Sequence, residues 1–187
     1  MPAFDQVILR TERLLLRPLR EADAADLFSI FSDPRVMRYW STAAWQSMDA
    51  AHQTIARDVK AMAAGEYLQL GIERLADARL LGKCTLFDLV AQSRRAEVGY
   101  GISGDSWGHG YAYEAMLALL QFGFSELKLN RVEADIDPRN ERSARLLQRL
   151  GFKKEGLLRE RWIVQEEFSD SALFGLLRGD FIAATSD

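Results

Sequence analysis

The feature that most constrains the fold is a strand, a glycine loop, a helix, a strand and a helix in succession between residues 96 and 150. Residues 96–102 alternate as a strand does, and residues 111–127 place apolar side chains on one helical stripe. A strand at 131–136 and a helix at 140–150 follow. Because a helical crossover returns the chain to the same end of a sheet, the two strands are expected to be parallel and central.

The rest of the chain predicts helices on the N-terminal side and antiparallel strands around this centre. Short polar turns separate three successive strand patterns, which is typical of a meander. The predicted fold is mixed α/β, a central and mostly antiparallel sheet of six to seven strands flanked by helices. The further predicted elements are strands at 14–18, 68–74, 80–89, 157–164 and 172–177, a helix at 21–32, and a helix or helix pair at 47–64.

Composition limits the class of protein. The chain has 187 residues, 48% of them hydrophobic, and no internal repeat or linker, so residues 1–187 are expected to form one domain. A net charge of −3 gives no basic field, which argues against nucleic acid and membrane partners. The lone Cys84 excludes an internal disulfide and is expected to be a small buried side chain. With no secretory signal and no apolar run of about 20 residues, we expect a cytoplasmic protein.

The loop before the long helix has the composition of an anion site. Gly108 and Gly110 flank His109, and glycines allow consecutive main-chain amides to converge on one point. The free amides and the dipole of the following helix add positive potential there, so a pyrophosphate is the expected ligand. Neither a P-loop ending nor a three-glycine dinucleotide fingerprint is present. A plain strand-to-helix turn is the alternative interpretation.

Ordered motifs along nearly the whole chain carry a family resemblance. The chain resembles the GNAT superfamily of N-acetyltransferases, in the branch that contains the Rim-type ribosomal-protein N-terminal acetyltransferases. The motifs are Thr11-Glu-Arg-Leu-Leu-Leu-Arg-Pro, Asp33-Pro-Arg-Val-Met-Arg-Tyr-Trp, Glu97-Val-Gly-Tyr-Gly-Ile, Trp107-Gly-His-Gly-Tyr-Ala-Tyr-Glu-Ala and Asn140-Glu-Arg-Ser-Ala-Arg-Leu-Leu-Gln-Arg-Leu-Gly-Phe.

The resemblance implies acetyl-CoA as the co-substrate and no metal. It implies that main-chain groups of Tyr100 and Ile102 meet the pantetheine arm, on a strand that splays from its neighbour to open a cleft. Asn140 would cap its helix and contact the cofactor, and His109 would contribute its amide while its side chain stays on the surface. The loop expected to hold the pyrophosphate comprises Trp107, Gly108, His109, Gly110, Tyr111 and Ala112.

Attack of an amine on a thioester needs a base for the amine, oxyanion stabilisation and a proton for the leaving thiolate. Glu97 is the candidate base, with a salt bridge to an arginine as the alternative role. Many superfamily members use a tyrosine as the acid, but Leu147 stands at the matching position. The resemblance makes Ser143 the substitute acid, and a helix-start serine bonded to the main chain is the alternative.

The acceptor is the least determined part of the prediction. We expect a primary amine, with a protein N-terminal α-amine, a polyamine, an amino acid or an antibiotic amine as the options. A non-catalytic acyl-CoA-binding domain is the competing function. The chain could be a monomer or a homodimer paired through its last strands. Four aromatic residues are expected either to wall the acceptor pocket or to pack in the core: Tyr39, Trp40, Trp45 and Trp162.

Overall fold

The computed structural model describes residues 3–184 and contains one eight-stranded sheet in the order β1-β2-β3-β4-β5-β6-β8-β7. The strands are Leu9–Arg10 (β1), Leu14–Arg17 (β2), Leu68–Arg74 (β3), Leu80–Val90 (β4), Arg95–Ile102 (β5), Arg131–Ile136 (β6), Lys153–Val164 (β7) and Glu167–Leu177 (β8). The helices are Ala24–Phe31 (α1), Pro34–Met37 (α2), Met48–Ala63 (α3), Tyr111–Ser125 (α4), Glu141–Arg149 (α5) and Arg178–Ala184 (α6).

The central strands pair as the sequence predicts, and then they part. β3, β4 and β5 form the antiparallel meander, and β5 pairs with β6 in parallel. The parallel ladder stops at the pair Glu97 and Glu133, although β5 continues to Ile102 and β6 to Ile136. The far halves of the two strands therefore border a cleft in the middle of the sheet.

The prediction of six to seven strands is wrong by one. The additional strand, β1, has two residues that pair with Leu15 and Leu16 of β2. Two residues are too few to show the alternation that identifies a strand. The last two strands are also longer than predicted, because β7 begins at Lys153 and β8 at Glu167 in residues that are largely solvent-exposed and carry no apolar pattern.

Each face of the sheet packs against its own helices. α4 lies on one face, where its Met116, Leu119 and Leu120 are fully buried. Burial of each such side chain contributes about 2 kcal/mol to folding. On the other face, α1, α2 and α3 form a second cluster around Phe31. No helix in the described part of the chain is long and apolar enough to cross a membrane.

The alternation of β5 assigns its side chains to these two faces. Val98 and Ile102 are buried in the cluster that contains α4. A Cβ at Gly101 would instead meet Trp40 and Phe31, on the side of α1. Because successive strand residues point to opposite faces, Glu97 shares the α1 face and Tyr100 shares the face of α4 and α5.

Candidate active site

A cavity of about 430 Å³ lies where β5 and β6 part. Glu97 lines it from the α1 face of the sheet, and Ser143 lines it from α5 on the opposite face. The cavity therefore connects the two faces through the gap between the strands. This arrangement lets two reactants approach one point from opposite sides of the sheet.

The glycine loop has the backbone conformation that an anion cradle requires. Gly108 and Gly110 have φ values of 82° and 80°, in the left-handed region that favours glycine. Gly110 is the N-cap of α4 and provides no side-chain cap, so the first amides of the helix are left for another acceptor. A Cβ at Gly108 would meet nothing within 4 Å, so its conformation rather than crowding calls for glycine.

The segment before β2 fixes this loop in place. Thr11 donates a hydrogen bond of 2.6 Å to Glu114 of α4, and Arg13 donates another of 2.7 Å. Arg13 also donates to the main-chain oxygen of His109 at 3.0 Å. Burial opposes ionisation of Glu114, but these hydrogen bonds outweigh it and lower the pKa of the carboxyl. The Thr11 motif and the glycine loop are therefore one structural unit.

Trp107 and His109 play different parts in the loop. The Trp107 indole donates to the Ile102 oxygen at 3.0 Å, and the Arg142 guanidinium lies 4.7 Å from its ring centroid. The exposed His109 ring lies 5.8 Å from that of Tyr111, and its Nδ1 is 2.9 Å from the Trp107 oxygen. The imidazole is exposed and does not line the cavity, in agreement with its expected surface position.

Main-chain groups of β5 face the cleft at alternate residues. The amide of Ser103 donates to Leu81 of β4. In an antiparallel pair the main-chain groups of alternate residues point to opposite edges, so those of Tyr100 and Ile102 point away from β4. The Ile102 oxygen accepts the Trp107 hydrogen bond, which leaves it one further lone pair.

Glu97 lies in surroundings that disfavour its charge. Burial is the largest cause of a shift that raises the pKa of its carboxyl to about 7. Nearby carboxylates, Asp135 the strongest of them, contribute to the same shift, and Arg161 opposes it. Asp88 contributes from a bulge in β4 where its φ is 47°. A carboxyl with a pKa near neutral pH is suited to accept a proton there.

The arginines near Glu97 are engaged elsewhere. Arg95 and Arg131 both pair with Glu133, at 2.7 and 2.8 Å. Arg161 pairs with Asp135 at 2.9 Å. Within residues 3–184 no ion pair involves Glu97, so the alternative role as a salt-bridge partner has no counterpart in the structure.

Ser143 is positioned from two directions. Its amide donates to the Asn140 side chain at 3.1 Å, which is an N-terminal cap of α5. Its hydroxyl accepts a hydrogen bond of 3.0 Å from the Tyr100 hydroxyl. One turn later Leu147, 1% exposed, lines the same cavity with an apolar side chain. Ser143 therefore makes the main-chain bond at the helix start and also lines the cavity, so the two interpretations of this residue do not exclude each other.

Three of the four predicted acceptor aromatics reach the cavity. Tyr39, Trp40 and Trp162 line it, and the Trp162 indole donates to Ser171 at 3.0 Å. The structure does not bring Trp45 there. Its ring packs on Phe31 with centroids 5.1 Å apart, in the cluster beside α1.

Sequence reasoning missed Lys83 and Tyr100 as side chains of the site. Lys83 is 13% exposed, lines the cavity and lies 3.9 Å from the buried Asp58. Burial lowers the pKa of its ammonium group. Lys83 pairs with Gly101 of β5 and so points to the same face of the sheet as Gly101. Glu97 also points to that face, because it lies four residues from Gly101 and alternate residues of a strand share a face. That signal exists only once the strand register is known.

Neither a reactive thiol nor a metal-binding cluster is found among the described residues. Cys84 is fully buried, and burial raises the pKa of its thiol to about 12, so it stays protonated and unsuited to act as a nucleophile. Across the described residues, no group of three or more His, Cys, Asp or Glu side chains could hold a metal ion.

Comparison with known proteins adds a family assignment to this geometry. The profile of the acetyltransferase (GNAT) domain matches residues 13–153. The uncharacterized N-acetyltransferase p20 of Bacillus licheniformis is 34% identical, over 92% of this chain and 97% of its own. The [ribosomal protein uS5]-alanine N-acetyltransferase of Escherichia coli is 26% identical, over 94% and 93%. The Vibrio cholerae spermidine N-acetyltransferase, solved with CoA and spermine, superposes with a TM-score of 0.81 at 21% identity, over 92% and 99%.

Proposed function

The chain belongs to the GNAT acetyltransferase family, and we propose that it transfers the acetyl group of acetyl-CoA directly to a primary amine, with the α-amine of a protein N-terminus as the leading acceptor. The observation that carries this proposal is the cleft between β5 and β6. The cleft is bordered by a strand that leads into the glycine loop, and its cavity opens to both faces of the sheet.

In this proposal the loop and β5 bind the co-substrate. Amides of Gly108, Gly110 and Ala112 would contact the pyrophosphate, supported by the positive end of the α4 dipole. The unpaired edge of β5 at Tyr100 would bond the pantetheine amides, as another strand would. The α4 and α5 face is then the side from which the thioester arrives.

The amine would arrive from the other face, where Glu97 lies. An α-amine has a pKa of about 8, so much of it is protonated at neutral pH and must lose a proton before it attacks. Glu97, with a pKa near 7, accepts that proton directly or through a water. Ser143, on the opposite face of the cleft, gives a proton to the sulfur as the carbon–sulfur bond breaks. Base and acid then act on opposite sides of one reacting carbon.

A small cationic amine is the second candidate acceptor, and the charge of the cavity supports it. The carboxylates of Asp88 and Asp170 line the cavity, and within residues 3–184 neither forms an ion pair with a basic side chain. A polyamine would place a second positive charge near them. Against this, the ammonium of Lys83 and the guanidinium of Arg161 line the same cavity.

One experiment tests the proposed function and ranks the acceptors. The protein is incubated with acetyl-CoA and, in parallel, with peptides bearing a free N-terminus, the same peptides with a blocked N-terminus and an internal lysine, and spermidine. Released CoA and acetylated product are measured by thiol titration and mass spectrometry. We expect product with the free N-terminal peptides and none with the blocked ones.

The competing function predicts a different result. A non-catalytic acyl-CoA-binding domain would bind acetyl-CoA in calorimetry and give no acetylated product with any amine. Product with spermidine alone would replace the protein N-terminus by a small cationic amine as the acceptor. A variant that carries both Glu97→Gln and Ser143→Ala is the negative control, and it gives the background of CoA release and acetylation that does not depend on the site.

A further inference from the structure

The Tyr100 side chain makes a contact that main-chain binding of a cofactor does not require. Its hydroxyl donates a 3.0 Å hydrogen bond to Oγ of Ser143, from the strand to the facing helix. Both side chains line the cavity between β5 and β6. Ser143 is 6% exposed and its amide is held by Asn140, so the position of Oγ is fixed on the helix side as well.

The direction of this hydrogen bond determines where the Ser143 proton can go. A serine hydroxyl has one proton and two lone pairs. A phenol, with an ordinary pKa of about 10, is far more acidic than a serine hydroxyl and is the better donor of the two. With Tyr100 as the donor, one lone pair of Oγ is taken and the proton of Ser143 remains available for another acceptor. Among the described residues no other hydrogen bond of this hydroxyl is present. Burial raises the pKa of Tyr100, so the phenol stays protonated near neutral pH and remains a donor.

We propose that Tyr100 is a positioning residue for acetyl transfer, which holds the Ser143 hydroxyl with its proton turned into the cavity, toward the leaving sulfur. The inference rests on the proposed function. It accounts for the apolar Leu147 one turn further along α5, which has no proton to give. The acid in this site is then Ser143, and Tyr100 sets the direction of its proton.

The proton balance of the step is closed. The amine nitrogen forms its bond to the acetyl carbon and loses a proton to Glu97, which releases it to solvent. The carbon–sulfur bond breaks with its electron pair on sulfur, and the sulfur takes the proton of Ser143. Oγ recovers a proton from solvent once the thiol has left the cavity, and Tyr100 keeps its own proton throughout.

The alternative is a purely structural tyrosine whose ring fills space beside α5. Tyr100→Phe separates the two, because it keeps the ring and removes only the hydroxyl. Without that donor, the Ser143 hydroxyl can turn its proton to a main-chain carbonyl near the helix start. Since a net hydrogen bond is worth about 0.5–1.5 kcal/mol, we expect kcat to fall by about twofold to thirteenfold. The Kd for acetyl-CoA should stay within twofold.

A double-mutant cycle with Ser143→Ala gives the decisive readout. If Tyr100 acts through Ser143, then Tyr100→Phe lowers kcat in the wild-type background and has no effect when Ser143 is already alanine. The matched control is Tyr113→Phe on α4, whose ring lies under the guanidinium of Arg149 at the end of α5. That variant should keep wild-type kcat.

Two results would overturn the inference while leaving the proposed function intact. One is an unchanged kcat for Tyr100→Phe in a protein that acetylates its acceptor. The other is an equal loss from Tyr100→Phe with and without the Ser143 hydroxyl, as a packing defect would give. A wild-type protein that releases no CoA with any amine would instead refute the proposed function, and the role of Tyr100 with it.

Discussion

Replacing Glu97 by glutamine tests the chemistry of the site in two independent ways. The glutamine has nearly the same size but cannot accept a proton, so the variant removes the candidate base without opening a cavity. General base catalysis contributes about 10²–10⁴ in rate, so we expect kcat/KM to fall at least about a hundredfold. The Kd for acetyl-CoA should not change, because Glu97 lies on the face away from α4 and α5.

The pH dependence of the wild type follows from the raised pKa. A base works when it is ionised, and a group with a pKa of about 7 is ionised to about a tenth at pH 6 and about nine-tenths at pH 8. The wild-type rate should therefore rise about tenfold over this range from Glu97 alone. An ordinary glutamate would be ionised throughout and would give no rise.

The acceptor also titrates, and its contribution must be separated. Two acceptor peptides whose amines differ in pKa by about one unit shift the amine limb of the profile and leave the Glu97 limb in place. Glu66→Gln, an exposed carboxyl after α3, is the matched control and should keep the wild-type profile. If Glu97→Gln retains activity within twofold, or if the whole profile moves with the amine, Glu97 is not the base.

The same variant should be more stable than the wild type at alkaline pH. The folded state raises the pKa of Glu97 from 4.5 to about 7, so its ionisation opposes folding. Stability is therefore lost as pH rises from about 4.5 to about 7, and the loss is complete above that pH. The full shift corresponds to roughly 3 kcal/mol, which solvent screening of this half-buried group reduces to about 1–2 kcal/mol. Denaturant unfolding should show this gain for Glu97→Gln at pH 8 and no gain below pH 4.5. Equal stability at pH 8 would refute the raised pKa.

Further predictions concern the acid, the loop and the buried thiol. Ser143→Ala should lower kcat by about tenfold to a hundredfold with the Kd for acetyl-CoA nearly unchanged, and unchanged turnover would remove Ser143 from the mechanism. Gly108→Ala should weaken acetyl-CoA binding about tenfold in calorimetry, because a left-handed φ of 82° costs an alanine about 1–2 kcal/mol; wild-type affinity would mean that the loop does not hold the ligand. The thiol of Cys84 should react with a disulfide reagent at pH 8 only after denaturation, since it is fully buried with a pKa of about 12, and rapid reaction in the native state would contradict its burial.

The sequence was sufficient where a local pattern determines a local conformation. Gly108 and Gly110 predict a loop whose main-chain amides can converge, and in the structure both residues have the left-handed φ values that favour glycine. The parallel pairing of β5 with β6 followed from the helix between them. The two residues of β1 were not predicted, because a strand of two residues is too short to show an alternation of apolar and polar side chains.

The cavity lining was harder to predict, because it depends on how distant elements meet. Trp40 and Trp45 are equally aromatic in the sequence and both pack on Phe31 of α1, but only Trp40 also lines the cavity. Tyr100 contacts Ser143 only because folding brings α5 to the same face of the sheet, and the two residues are 43 positions apart in the sequence. Strand register decides which charged side chains face the cavity, and the pattern of a single sequence does not determine that register.

A crystal structure with coenzyme A bound tests the central claim most directly. The account predicts pyrophosphate oxygens within about 3 Å of main-chain amides in residues 108–112, and the thiol in the gap between β5 and β6 beside Ser143. A pyrophosphate bound elsewhere, or a loop whose amides are covered by side chains of the protein itself, would contradict it.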